Sequence, residues 1–255
     1  MQNPTCRFPK VLSANALKLL AVFAMTTDHL AWLLFPGYPT DALPVFLHLF
    51  GRITCPVMCF FIAEGFHYTK NVRKYTHRLF LFAFLSHFAY LFASGNYTDP
   101  TSFIPFYRGS ILNQTGVLWS LAWGLVMLRV NFSKRFTDLE KFLLILLCAL
   151  AAVPADWSCI GSFWVLSIGS NRGKPKEQLL WSSFYLLLYI FVYCTAIDFR
   201  YGLLQFGVFL ALPLLALYNG KRGKNPAWNR VFKWLFYLYY PAHLAILGLV
   251  RQFVL

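Results

Sequence analysis

The residues best equipped for chemistry in this chain lie where water is scarce. Asp28 and His29 are adjacent in Met25-Thr26-Thr27-Asp28-His29, inside an apolar run from Ala16 to Phe35. Ionisable side chains in such a run are costly; they normally face a bundle interior or a water-filled cavity and mark a functional site. A neutral imidazole beside a carboxylate is the usual general-base arrangement, in which the carboxylate orients the ring and stabilises the imidazolium. Helix neighbours point about 100° apart, so Asp28 can instead serve a cation while another group orients His29. Two other apolar runs bring polar groups of the same kind, Arg52 in Gly51-Arg52-Ile53-Thr54-Cys55-Pro56 and His243 in Tyr239-Tyr240-Pro241-Ala242-His243.

Helical rise places these groups at one depth. At 1.5 Å per residue, His29 lies about 10 Å from the end of its run, and Arg52 and His243 each about 12 Å from the same side of a bilayer core about 30 Å thick. His87 falls near mid-plane. Lys18 and Glu64 form a lower tier, about 8 Å from the opposite side. Lys18 and His29, close to three turns apart, share a helix face with Met25. The expectation is two ion pairs between the first two spans, Asp28–Arg52 above and Lys18–Glu64 below, since unpaired charges there are far more expensive. A purely structural reading, in which the pairs only fix helix register, suits Lys18–Glu64; histidine adds chemistry that register does not need. His48 reads as an interfacial residue, and His67 and His77 as solvated ones. Asn113 and Gln114, at the outer start of the fourth span, either face an acceptor or cap a helix. The loop from Thr69 to Arg78 carries Lys70, Arg73, Lys74 and Arg78. It is either topogenic or holds the phosphates of an anionic cofactor.

The elements that position these groups are membrane helices. The 255 residues are 58% hydrophobic and only 13% charged, against about 25% charged in a soluble domain. Apolar runs recur along the whole length, so residues 1–255 read as one all-α, polytopic membrane domain. Spans are expected at about 14–35, 44–68, 79–95, 110–129, 141–155, 157–170, 179–197, 201–218 and 231–250. That is nine, or seven if the short fifth and sixth do not cross. Eighteen of the 23 Lys and Arg fall in one alternate set of gaps, Arg7 and Lys10 among them. Arg108, Arg200 and Arg251 fall in the other set. This asymmetry puts the N-terminus in the cytoplasm. It also explains the net charge of +14 without nucleic acid. The first run is too long for a cleavable signal. Of the six cysteines, Cys55 and Cys59 share a helix face, but no Cys/His set has zinc spacing; they read as small apolar fillers, and no metal is expected.

These residues resemble a known family. Leu17-Lys18 with Met25-Thr26-Thr27-Asp28-His29, Gly51-Arg52-Ile53-Thr54-Cys55-Pro56, Ala63-Glu64-Gly65-Phe66, Tyr75 with Arg78, and Tyr240-Pro241-Ala242-His243 look like the TraX family. That family is named for a conjugative-plasmid protein that acetylates the N-terminus of F pilin and is regarded as a relative of the transmembrane acyltransferases. The match runs from about residue 15 to 245 and departs from the family at Thr54-Cys55. The resemblance implies a multi-pass protein of the bacterial inner membrane. It also implies acetyl-CoA on the cytoplasmic side and an acceptor protein or glycan on the outer side. The site residues carried over are His29, Asp28 and Arg52.

Three functions are then open. In the first, an acetyltransferase, Lys70, Arg73, Lys74 and Arg78 steer acetyl-CoA. His29 acts as general base or takes the acetyl group, and Arg52 or His243 stabilises the oxyanion. Lys18, Glu64, His87 and Asn113 support the site. In the second, a proton-coupled transporter, the same charges form a relay, and discontinuous spans and internal repeats are expected; neither is evident in the sequence. In the third, a scaffold, the charges only set packing.

Overall fold

A computed structural model describes residues 9–37, 39–95 and 112–254. Cys6, Arg7, Tyr38 and Arg108 lie outside the described residues. In chain order the helices are α1 (Ala14–Leu34), α2 (Ala42–Gly51), α3 (Thr54–Tyr68), α4 (Val72–Ser94), α5 (Val117–Asn131) and α6 (Asp138–Ala152), then α7 (Ser158–Ser170), α8 (Pro175–Ala196), α9 (Phe199–Leu204), a 3₁₀ turn (Gln205–Leu210), α10 (Ala211–Ala216) and α11 (Pro226–Phe253). No strand occurs among the described residues. Four stretches are long and apolar enough to cross a membrane: Ala14–Leu34, Ala42–Tyr68, Pro175–Ala196 and Phe199–Ala216. Helices α5 and α7 are apolar but shorter.

Local chemistry sets several helix ends. Ser13 caps α1 by accepting from the Ala16 N–H, and Asn71 caps α4 by accepting from the Lys74 N–H. Thr137 and Glu140 close a reciprocal capping box on α6, which satisfies donors that the first turn leaves free. Gly95 ends α4 in the left-handed conformation.

Helix α5 sits at the centre of the bundle, buried on most of its faces and packed against α3, α4, α6 and α7. Its contact with α7 is built from small residues. A Cβ on Gly124 would lie 2.8 Å from Val165, and one on Gly161 would lie 2.8 Å from the Ser120 hydroxyl. The Ser120 hydroxyl donates to the Ser158 carbonyl at 2.6 Å, and that of Ser162 to the Ser120 carbonyl at 2.7 Å. Small residues that allow backbones to approach, with hydroxyls as glue, are the usual packing device where lipid removes the hydrophobic drive between helices. Cys55 and Cys59 are buried fillers on α3, their sulfurs 3.9 Å apart.

Two expected spans are interrupted. The second breaks at Arg52–Ile53 between α2 and α3, and the eighth is resolved into α9, the 3₁₀ turn and α10. Irregular backbone at membrane depth persists only when protein surrounds it or it lines a cavity. Arg52 and Ile53 are indeed buried, and the Arg52 Nε donates to the His48 carbonyl at 3.3 Å. The fifth and sixth spans form α6 and α7, joined by a turn at 153–157. At 15 and 13 residues, both stay shorter than the roughly 20 residues a full crossing needs.

Candidate functional site

The close approach of α2 to α1 is set by Gly51 and Asp28. A Cβ on Gly51 would collide with the Asp28 side chain, so only glycine lets the two helices come this near. The expected Asp28–Arg52 pair forms. The Arg52 Nη2 donates to both carboxylate oxygens, at 2.8 and 3.0 Å. The same nitrogen donates to the Tyr201 hydroxyl at 2.7 Å, and Nη1 to the Gln205 Oε1 at 3.3 Å. Gln205 is itself oriented, donating through Nε2 to the Tyr201 carbonyl. His48 completes the set, with its Nδ1 2.8 Å from Asp28 Oδ1 and its ring packed against Trp32 and Tyr201.

His48 is therefore not interfacial: it is 1% exposed. Sequence reasoning also missed Tyr201 and Gln205. The available signal was spacing. His48 and Arg52 are four apart, as are Tyr201 and Gln205, so each pair shares a helix face and converges on the Asp28–Arg52 pair.

With Asp28 committed to Arg52 and His48, another group orients His29. Its Nδ1 lies 2.7 Å from the Nε2 of His243, the rings stacked 4.9 Å apart. The protons can be assigned by elimination. His243 Nδ1 lies 2.9 Å from the Tyr239 carbonyl, and a carbonyl only accepts. In the neutral ring that nitrogen carries the proton, so Nε2 is an acceptor. The partner atom, His29 Nδ1, must then be the donor. What remains on His29 is an Nε2 with an uncommitted lone pair, the atom a general base or nucleophile requires. Tyr239 holds this arrangement to α1. Its ring stacks on His243 at 5.1 Å, and its hydroxyl lies 2.6 Å from the Thr26 hydroxyl, which donates to the Val22 carbonyl.

Arg52 and His243 were candidates to stabilise an oxyanion. Both Arg52 Nη atoms and both ring nitrogens of His243 are already engaged within the protein.

The lower tier also departs from expectation. Glu64 pairs with Arg172, at 2.8 Å, and not with Lys18. Glu64 lines a cavity of about 560 Å³ with Phe60, His67 and Arg172. His67, expected to be solvated, lies 2.8 Å from the Gly169 carbonyl; His77 is exposed, as expected. Lys18 lines a different cavity, of about 480 Å³, with its ammonium 5.2 Å from the rings of both Phe61 and Phe236.

That second cavity gathers Lys18, Lys70, Lys74, Arg78, Arg222 and Lys233. Among the described residues no carboxylate lines it, so nothing in the wall neutralises these cations. The Arg78 Nε is buried and without a hydrogen-bond partner among the described residues, its guanidinium lying over Tyr75, Trp234 and Tyr237. Gly65 makes room for the Tyr75 hydroxyl, 2.8 Å from where a Cβ would stand. Arg73 is exposed on α4 and does not line the cavity. The volume suits a small-molecule ligand, and the wall chemistry selects an anionic one. Among the described residues no group of three or more His, Cys, Asp or Glu is placed to hold a metal.

At the end of the bundle opposite this cavity, two loops meet. Gln114 and Thr115 donate to the Pro154 carbonyl, and the Asp156 N–H donates to the Thr115 carbonyl at 2.7 Å. Asn113, Trp157 and Ser158 all have positive φ, an uncommon conformation for residues with a side chain. Asn113 is thus a loop residue, not a cap: Gly116 precedes α5. Its carbonyl accepts from the Tyr90 hydroxyl, and its side chain hydrogen-bonds Tyr193. The Asp156 carboxyl lies outside any helix and makes no ion pair among the described residues. It sits within electrostatic reach of Tyr90, Tyr189, Tyr193 and Tyr240. Burial lifts its pKa to about 6, against the opposing charge of Arg52. Tyr240 links this turn to the histidines. Its hydroxyl accepts from the Val117 N–H, and its ring lies 6.4 Å from that of His29. His87 is buried on α4, edge-on to Phe88.

The family model described as "TraX protein" matches residues 13–251. A protein of Dichelobacter nodosus named "Probable fimbrial assembly protein FimC, serogroup H1" is 30% identical over 250 residues, covering 95% of this chain and 97% of that protein. No solved structure matches the chain.

Proposed function

The chain belongs to the TraX family, and on that premise we propose that it is a membrane-embedded acetyltransferase. It takes an acetyl group from acetyl-CoA at its basic, cytoplasmic end and delivers it to an acceptor amine or hydroxyl at the opposite, outer end. The acceptor is a fimbrial or pilin subunit or a cell-surface polymer, in keeping with the name of the Dichelobacter relative, and the membrane is the bacterial inner membrane.

The observation that carries this reading is the relay from the Tyr239 carbonyl through His243 to His29. It favours the tautomer that leaves the His29 Nε2 lone pair uncommitted. As the acceptor nitrogen or oxygen attacks the thioester carbonyl carbon, Nε2 takes its proton. The new C–N or C–O bond forms, the C–S bond breaks, and the imidazolium returns the proton to the CoA sulfur. His243 and Tyr239 contribute orientation. An acetyl-histidine intermediate uses the same lone pair in two steps. The basic cavity supplies the donor site, where Lys18, Lys70, Lys74, Arg78, Arg222 and Lys233 meet the phosphates of CoA through charge-assisted hydrogen bonds.

The test is transfer across a membrane. Proteoliposomes sorted for one orientation, basic end outward, receive radiolabelled acetyl-CoA outside and a peptide acceptor inside. Labelled acceptor in the lumen, absent with His29→Ala, is the expected result. Label that never reaches the lumen in well-folded protein counts against the reading. The interruptions at Arg52–Ile53 and in Gln205–Leu210 also suit a proton-coupled carrier. That reading requires solute uptake driven by a proton gradient without release of CoA.

A further inference from the structure

We propose that the outer half of α6 faces a locally thinned bilayer, so that the outer membrane surface steps down beside the histidine pair. The step stands on helix lengths and packing; its use by an acceptor rests on the acetyltransferase reading.

Helices α5, α6 and α7 have 15, 15 and 13 residues. At 1.5 Å per residue they rise about 20–23 Å, against about 30 Å of hydrocarbon. Both ends of the group are pinned, so neighbouring turns do not make up the deficit. At the outer end, Gln114 and Thr115 donate to the Pro154 carbonyl, and the Asp156 N–H donates to the Thr115 carbonyl. At the basic end, the Asn131 Nδ2 donates to the Ser170 hydroxyl at 3.0 Å, and His67, near the end of α3, meets the Gly169 carbonyl.

The flanking helices show where the shortfall lies. Trp157, at the outer start of α7, stacks on Tyr189 at 4.1 Å. Helix α8 continues seven residues past Tyr189 to Ala196, about 10 Å higher. On the other flank the Cys59 Sγ donates to the Gly161 carbonyl. Helix α7 begins three residues before Gly161 and α3 five before Cys59, but that second span runs on through α2 to Ala42. The basic ends are level, and the outer ends are not.

A short apolar surface is matched by snorkelling cations, by a partner subunit or by thinning of the lipid. No Lys or Arg lies between Lys141 and Arg172, so no cation of α6 or α7 reaches up from this outer end. Helix α6 turns Cys148, Ala149 and Ala152 inward. It exposes a stripe of Leu139, Phe142, Leu143, Leu146, Leu147 and Leu150. Helices that meet in a membrane use small residues at the contact, as α5 and α7 do; this stripe has only large ones. Its occupant is lipid, with the outer leaflet drawn down by about 8 Å.

The step lies beside the chemistry. The Tyr240 hydroxyl accepts from the Val117 N–H at the outer start of α5, and its ring lies 6.4 Å from that of His29. The outer end of the short group is thus level with His29. An acceptor approaching over α5–α7 meets the base without entering hydrocarbon.

The experiment compares Leu150→Cys on α6 with Leu187→Cys on α8. Both leucines are exposed, and each is twelve residues from the basic start of its helix. Ala196→Cys, exposed at the outer end of α8, reports full access. Each protein is placed in dioleoylphosphatidylcholine vesicles, outer end outward, and treated with a membrane-impermeant maleimide, with wild-type labelling subtracted. A thiol in hydrocarbon stays protonated and unreactive. The expected result is labelling of Leu150→Cys at a rate near that of Ala196→Cys, with Leu187→Cys slower by about tenfold or more. Leu150→Cys as slow as Leu187→Cys, or both equally fast, overturns the inference. So does oxidation of Leu150→Cys to a disulfide-linked dimer, which gives the face to a second copy. The measurement needs no acetyl transfer, so a protein that releases no CoA still decides it.

Discussion

His29 and His243, 214 residues apart in the chain, meet at 2.7 Å across α1 and α11. The Tyr239 carbonyl behind His243 makes the contact directional, because it dictates which nitrogen of each ring holds a proton. His243 is accordingly a positioning residue. His243→Ala is expected to lower kcat by about 100-fold or more and leave the KM for acetyl-CoA unchanged. Added imidazole should recover part of the loss, which a variant that had merely misfolded would not show.

The basic cavity makes a prediction that separates its lining from its surroundings. Lys18→Ala and Lys233→Ala should each raise the KM for acetyl-CoA by about tenfold, the loss of one charge-assisted contact. Arg73→Ala, in the same basic loop but outside the cavity, should leave it unchanged. Steady-state kinetics at two salt concentrations checks both.

The Asp28 network should behave as a structural unit. Asp28→Asn leaves the buried Arg52 without its counter-charge and should cost about 3–5 kcal/mol, read as a lower melting temperature in detergent. Glu64→Gln removes a pair whose arginine is 38% exposed, and should cost at most about 1 kcal/mol. Equal losses from the two would contradict the assignment.

Gly51→Ala tests the approach of α2 to α1. The added methyl collides with the Asp28 side chain, and overpacking of this kind costs about 1–3 kcal/mol. Gly173→Ala, at an open turn with φ of +81°, meets only backbone strain. Thermal melts and transfer assays on both variants check the contrast. The first should lose activity together with stability, and the second should lose stability alone.

The bundle was legible in the sequence because long apolar runs and the asymmetry of Lys and Arg register directly. The Asp28–Arg52 pair was legible too, since both residues sit at one depth on helices that run in opposite directions. Depth does not give azimuth, however. Lys18 and Glu64 share a depth yet line different cavities. His243 was visible as a candidate, but its contact with His29 depends on how α11 docks on α1. The breaks at Arg52 and in Gln205–Leu210 left no mark in hydropathy, which averages over the residues that unwind. Asp156 sits in a turn and carries no periodicity at all.

The measurement that bears most directly on the central claim is release of CoA from radiolabelled acetyl-CoA by purified protein in nanodiscs, wild type against His29→Ala. The account predicts release by wild type and a loss of about 10²–10⁴-fold in a variant that still melts cooperatively. A folded His29→Ala protein that releases CoA at the wild-type rate would contradict it.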